Sequence, residues 1–168
     1  MKMLNQDNRL LLWVPDGGIL DFTEPTLAEL TDEGVLDISC LVTKNNFALG
    51  ATGDEVIDDP PLCAPGSSPA PGTTTYEAGM DFFRYTTTIE DIAWSTFTGK
   101  GIPGFLVYRI GKPHTSPLIA TDKVGVYGVI TGTPRNLAPT TQSAWEKFRQ
   151  EFMVQSELVD ERAVVAAA

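Results

Sequence analysis

The stretch IDDPPLCAPGSSPAPGTTTYEAG, residues 57–79, holds five prolines and three glycines in the middle of the chain. Proline fixes φ and removes a ladder donor, and glycine loses the most backbone entropy on folding. The signals stay weak across all 32 residues of 44–75. Connections longer than about 15 residues are uncommon in compact domains, and are usually functional or disordered. The segment therefore reads as an overgrown loop between two strands, without local structure, free in a monomer and ordered by a neighbouring subunit. A tolerated surface insertion is the plainer alternative.

What flanks it is mostly β-like. LLLWVPDGGILDF (10–22) reads as a hairpin around Pro15-Asp16-Gly17. In PTLAELTDEG, Thr26 and Glu29 have capping-box spacing, and Gly34 suits the stop of a short helix. VLDISCLVT (35–43) alternates as a strand, with Leu36, Ile38, Cys40 and Val42 on the core face and Asp37 and Ser39 opposite. MDFFRYTT is strand-like. TTIEDIAWSTFTGKG reads as the main helix, with Thr87 and Glu90 at capping-box spacing and Ile89, Ile92, Ala93 and Phe97 as its buried stripe. On that reading Ile92→Asp buries a charge at a cost of several kcal/mol. Trp94 belongs to the core or its flank.

GFLVYRIG and VGVYGVITGTP are further strands. FRQEFMVQSELV fits a strand through Phe148, Phe152 and Val154, although Phe148 and Phe152 also fit one helical turn; a strand is preferred. The tail ERAVVAAA is consistent with a final strand or a frayed arm over 160–168. The whole, 1–168, reads as one mainly β (α+β) domain: an antiparallel β-sandwich or barrel with one flanking helix and a long inter-strand loop.

Charge narrows the function. Residues 1–60 carry twelve acids and three bases, most of the chain's net −10. Nucleic-acid binding by the usual route needs a basic face, and none is visible. No apolar run approaches the roughly 20 residues of a membrane span, and the start MKMLNQDNRL lacks a signal-peptide apolar region. Cys40, as core filler, and Cys63, as a loop residue, read as free thiols in a reducing compartment. Two cysteines and one histidine in separate segments form no zinc site. Asp58 and Asp59 lack the ligand count of a calcium loop. His114, in a proline-flanked loop, reads as a surface residue. No nucleophile, metal or phosphate motif is present, so neither enzyme activity nor a cofactor is expected.

The order of parts resembles a major tail tube protein of long-tailed, non-contractile bacteriophages. The likeness runs through TEPTLAEL, VLDISCLV, the Pro/Gly/Ala loop, DFFRYTT, TIEDIAWSTFTGKG and FRQEFMVQSELVDERAVVA. It spans nearly the whole chain but rests on layout, since no short motif is diagnostic. The resemblance implies hexameric rings, formed by joining inner sheets into one barrel and stacked into a tube. DNA would pass through without specific binding. Tape measure and tail terminator proteins would be its partners, and the tube would be a virion component assembled in the host cytoplasm.

In such a tube the long loop reaches an adjacent ring, which assigns that role to Asp54, Asp58, Asp59, Pro60, Pro61, Pro65, Pro69 and Pro71. The non-core faces of the inner strands line the lumen, which places Asp37, Ser39, Asp81, Arg149, Glu151 and Gln155 there. Rival readings are a tail terminator, a head–tail joining protein or a contractile-type tube, a monomeric β-sandwich binding module, and a hydrolase built around His114.

Overall fold

The computed structural model describes residues 2–3, 5–63, 65–139, 141, 144–155 and 159–167, with backbone alone over 159–163. Its strands are β1 (Arg9–Pro15), β2 (Leu36–Asp37), β3 (Ala48–Ile57), β4 (Ala70–Phe83), β5 (Pro103–Ile110), β6 (Lys123–Thr131), β7 (Arg135–Asn136), β8 (Lys147–Val154) and β9 (Val159–Val164). They form one sheet in the order β2-β1-β5-β6-β8-β4-β3, with β7 paired to β8 and β9 to β6. Every strand pairing is antiparallel. The sheet curls round on itself. After β2, Val42 bridges Phe82, and the Thr43 and Phe83 amides donate to the carbonyls of Asp81 and Leu41. The segment that leaves one edge thus reaches the far end of β4, giving the mainly β, sandwich-like architecture that the alternating runs indicate.

Two cores result. The first fills the curled sheet with aromatic rings: Trp13 and Phe97 meet edge-on at 5.1 Å, Phe82 stacks on Phe148 at 5.3 Å, and Phe97 meets Phe152 at 5.4 Å. Trp94 flanks it, edge-on to Phe148 at 5.0 Å. The second lies on the other face of β1, β5 and β6, where Leu10, Leu12, Val14, Val107, Val124 and Val126 pack with Ile19, Leu30 and Val165. This double coverage explains why Leu10 to Val14 are buried without alternation. A strand covered on both faces needs apolar side chains on both. By contrast β8 alternates, with Phe148, Gln150 and Phe152 buried and Arg149, Glu151 and Met153 more exposed. The strand reading of 147–154 is therefore the one that holds over the helical one, and the tail supplies β9.

Four expectations need correction. The segment 44–75 is not structureless: β3 and β4 run through it as one long hairpin, and only 58–69 connect them. From Ala51 onward β3 is solvated on both faces, so it lacks the apolar alternation by which strands are recognised. The ribbon is held by backbone pairing and by polar cross-strand bonds, such as Thr74 Oγ1 to Asp54 Oδ1 at 2.6 Å and Thr52 Oγ1 to the Thr75 carbonyl at 3.1 Å.

The early hairpin is half present. Asp16 and Gly17 turn the chain after β1, with Gly17 at φ 77° as only glycine adopts freely. Residues 19–22 then drop Ile19 into the second core and do not return as a strand; β1 pairs with β5 and β2 instead.

The strand 35–43 shrinks to β2, because Ser39 to Leu41 turn to carry the chain from β1 across to β4. Cys40 consequently lies exposed at the surface and does not fill the core.

The main helix shrinks to α2 (Ile92–Phe97). Thr87 Oγ1 does bond Glu90 Oε2 at 2.7 Å, but in the turn before the helix. The N-cap is Asp91, whose carboxylate makes no capping bond and is held by Arg84 Nε at 2.8 Å. Starting later, the helix buries Ala93 and Phe97 and leaves Ile89 and Ile92 at the surface, 88% and 39% exposed. The first helix, α1 (Leu27–Leu30), has the capping box its sequence announces, with the Glu29 amide donating to Thr26 Oγ1 at 3.3 Å and the Thr26 amide to Glu29 Oε2 at 2.8 Å.

The loop from β5 to β6 is organised by a buried cation. Arg109 reaches the carbonyls of Pro113, Ser116 and Pro117 and the carboxylate of Asp122 at 3.3 Å. Lys112 bonds the second Asp122 oxygen. Burial works against ionising Asp122, but the Lys112 bond, the Ile119 amide and the two cations outweigh it and hold its pKa below the ordinary aspartate value.

Phe97→Ala should cost about 3–5 kcal/mol by removing a ring from the aromatic core, while Ile92→Asp should cost under about 1 kcal/mol, as surface changes do; urea unfolding measures both. A carboxyl whose pKa is lowered by folding stabilises the fold above its unfolded value of about 3.9 and loses that contribution as pH falls through the folded value. Asp122→Asn should therefore cost about 3 kcal/mol at neutral pH, since it strips a buried cation of its partner. It should also flatten the loss of stability below about pH 4. Equal acid limbs for the variant and the wild type would show that Asp122 carries none of it.

Candidate pore face and assembly surfaces

Opposite the aromatic core, β4 and β8 present a polar face. Strand parity turns Ala78, Met80 and Phe82 inward and leaves Glu77, Gly79 and Asp81 outward. On β8 the outward set is Arg149, Glu151 and Met153. The register places Asp81 opposite Arg149 and Gly79 opposite Glu151, so charges distant in sequence become neighbours.

Arg149 is the hub. Its Nη1 donates to Asp81 Oδ1 at 3.2 Å and to the Asn46 carbonyl at 2.6 Å, and its Nε to Glu151 Oε1 at 2.7 Å. Glu77 stands 4.0 Å from Nη2. Arg135, on β7, approaches Glu151 at 3.5 Å, and Asn46 Nδ2 donates to the other Asp81 oxygen at 3.1 Å. The guanidinium lies across Gly79, where an added Cβ would stand 2.6 Å from Nη2; the bare backbone there makes room for the ion pair. Burial works against the Arg149 charge, yet the hydrogen bonds it donates to the carboxylates of Glu151 and Asp81 raise its pKa above the ordinary arginine value. Three carboxylates face two guanidiniums, leaving the patch at −1.

Of the six residues that the sequence assigns to a lumen, the structure joins Asp81, Arg149 and Glu151. Gln155 follows β8 on the same parity, exposed, with its Nε2 donating to the Met153 carbonyl at 3.3 Å. Asp37 and Ser39 stand elsewhere, beside β1: Ser39 Oγ accepts from the Leu11 amide at 2.8 Å, and Asp37 Oδ1 accepts from the Ser39 hydroxyl at 2.6 Å. They close the turn after β2. Glu77, Arg135 and Asn46 were missed. Asn46 falls in the segment 44–75 that reads as loop, Glu77 lies just beyond its end, and Arg135 sits on β7, which is only two residues long.

The second feature is the hairpin itself. Asp54 lies on β3 and Pro71 on β4, while Asp58, Asp59, Pro60, Pro61, Pro65 and Pro69 fall in the connection 58–69; all are exposed. Asp58 Oδ2 accepts from Ser67 Oγ at 2.7 Å. Val56, Ile57 and Leu62 are 70%, 56% and 107% exposed. Between Asn45 and Phe83 there are six acids and no lysine or arginine. Among the described residues β3 pairs with β4 alone, so its outer edge is open.

Chemistry does not converge. Among the described residues no three His, Cys, Asp or Glu side chains could hold a metal ion. His114 Nε2 lies 3.6 Å from Cys40 Sγ. Both cysteines are free and exposed. Among the described residues no helix is long and apolar enough to cross a membrane.

The described residues thus combine an open strand edge, a solvated acidic hairpin and a polar sheet face. The chain belongs to the phage tail tube protein family, whose model it matches over residues 1–168. No curated relative matches it. Its role is thus structural, in the tail of a virion, assembling with itself and with other tail proteins.

Asp81 is only 2% exposed, so Arg149→Met should cost about 2–3 kcal/mol by leaving that carboxylate without its cation. Asp81→Asn in the same chain should restore part of the loss. The double-mutant cycle in urea should give a coupling of about 1–2 kcal/mol, and additive losses would mean that the pair is not a unit.

Proposed function

We propose that this chain is the repeating subunit of a long, non-contractile tail tube. Six copies close into a ring by continuing the β3–β4–β8 sheet from one subunit to the next, and rings stack into a hollow conduit. The observation that carries this is the long hairpin, whose outer strand has a free edge. Open edges are a liability in a monomer, and strand addition turns this one into an interface. The 58–69 connection reaches the adjacent ring. Tape measure and terminator proteins meet the tube from within and at its end, assembly takes place in the host cytoplasm, and no step requires catalysis or a cofactor.

The polar face of β4 and β8 lines the lumen in this reading. Its charges are largely neutralised by Arg149 and Arg135, with a residual negative sign. Phosphates passing within a Debye length, about 8 Å in physiological salt, are weakly repelled by the residual charge. Glu77 and Glu151 are the two carboxylates of that face most open to solvent.

Negative-stain imaging of concentrated protein tests the core of the proposal. Long hollow tubes are expected; single rings would indicate a terminator, and monomers at every concentration a binding module. Deleting 58–69 should leave the circular dichroism of a folded β protein while abolishing tube growth, and tubes of normal length from the deletion would remove the hairpin from assembly. Glu77→Lys with Glu151→Lys changes each subunit by about four charges, and lysines near phosphates bind in a salt-dependent manner. Tubes of that variant should retain DNA at low salt and release it at high salt. No retention would place this face away from the lumen.

A further inference from the structure

Four segments distant in sequence meet at an open cavity of roughly 200 Å³. Arg9 opens β1, Cys40 lies in the turn after β2, Lys44 lies on the way to β3, and His114 lies in the loop from β5 to β6. His114 Nε2 stands 3.6 Å from Cys40 Sγ. Both sides of that contact are held in place. The Leu11 amide donates to Ser39 Oγ at 2.8 Å and fixes the turn before Cys40. The His114 amide donates to the Asp7 carbonyl at 2.9 Å, and Arg109 ties down the Pro113 and Ser116 carbonyls on either side of it. Among the described residues neither Arg9 nor Lys44 is in an ion pair. The Arg9 guanidinium lies 5.4 Å from the centre of the Phe47 ring. Asp7 is the only carboxylate among the described residues that line the cavity.

We propose that Cys40 is a modification site for small anionic disulfides of the glutathione type. The observation that carries this is convergence: a thiol, an imidazole and two cations without ion-pair partners line one cavity, in a chain of net charge −10. Each group has a part. His114 Nε2 accepts the thiol proton as Cys40 Sγ attacks one sulfur of the disulfide. The S–S bond of the reagent breaks, its electron pair leaves with the second sulfur, and that sulfur takes the proton from His114. One protein thiol and one small disulfide become one mixed disulfide and one small thiol, with no further oxidant. Arg9 and Lys44 draw the carboxylates of the reagent to the cavity and hold them there by charge-assisted hydrogen bonds.

The second cysteine is a control within the same chain. Cys63 is also free and exposed. It lies in the 58–69 connection with Asp58 and Asp59, and there is no lysine or arginine between Asn45 and Phe83. Exposure therefore does not separate the two thiols; their surroundings do. A negatively charged disulfide is drawn to Cys40 and repelled at Cys63, and a positively charged one meets the reverse. The site depends on the fold of one subunit alone, so it stands apart from the tube reading.

The test uses full-length Cys63→Ser and Cys40→Ser chains, each with one thiol, in low-salt buffer and too dilute to assemble. Glutathione disulfide and the cationic cystamine are the probes, and mass spectrometry follows the adducts. With glutathione disulfide, the chain that keeps Cys40 should react at least about tenfold faster than the chain that keeps Cys63. With cystamine that ratio should be smaller, and in urea strong enough to unfold both chains it should fall towards one. Two further variants are made in the chain that keeps Cys40, with melting temperatures to show that each is folded. His114→Gln should slow both probes about tenfold. Arg9→Gln with Lys44→Gln should slow glutathione disulfide alone. Equal rates at the two thiols of the folded chains, or a ratio that persists in urea, would overturn the site. So would rates unchanged in both the His114 variant and the Arg9 and Lys44 variant.

Discussion

The lower half of β4 is the constraint on which the rest depends. Two-stranded ribbons are marginal by themselves in water, and the β3–β4 hairpin buries almost nothing beyond Ala51. It stands because the same strand continues inward, where Met80 and Phe82 are fully buried and β8 pairs along its edge from Phe83 to Ala78. The ring stack of Phe82 on Phe148 fixes the position and direction of β4. The hairpin inherits that direction. A long projection can be both aimed and free of its own core only when one strand is shared between the core and the projection.

The same division governs the polar face. Parity commits alternate residues of β4 and β8 to the aromatic core, so the remainder have one face left to occupy. Asp81 and Arg149 are directly opposite in register, and Arg149 has enough reach to satisfy Asp81, Glu151 and the Asn46 carbonyl together. The Asn46 contact ties the start of the hairpin to β8. A sheet face that neutralises its own charges in this way is rigid and offers few unpaired groups to a passing polyanion.

Legibility in the sequence followed burial. The aromatic strand β8, the doubly covered strands β1, β5 and β6, and the α1 capping box were readable, because apolar period and capping chemistry are local signals. The period of β8 puts Arg149 and Glu151 on its non-core face; that Asp81 faces them, and that Glu77, Arg135 and Asn46 join the cluster, needs the register. What failed were elements whose reasons are tertiary. Asp91 gives its carboxylate to Arg84 and so does not cap, which shortens α2 and frees Ile89 and Ile92. The turn at Ser39 to Leu41 serves a crossing from β1 to β4 that no periodicity marks. The hairpin was hidden for a different reason. Its strands have no buried face, and Gly, Asp, Pro and Thr in a solvated ribbon look like loop.

That composition is itself informative about assembly. An exposed edge strand of Val and Ile would pair with any other edge and aggregate before use. Here the ribbon carries acids and no bases, so two free hairpins repel each other, and its glycines and prolines weaken the unassisted strand. The bulges between Ala51 and Gly53 and between Asp54 and Val56 twist it further from a flat template. Each feature lowers the affinity of a lone edge for a wrong partner. On the proposed mode of assembly, affinity comes from several weak contacts made at once, along the edge and at the 58–69 connection, and only a subunit held in the correct orientation can make them together. Such summation favours addition to an existing end, where the geometry is already set, over nucleation in solution, where it is not.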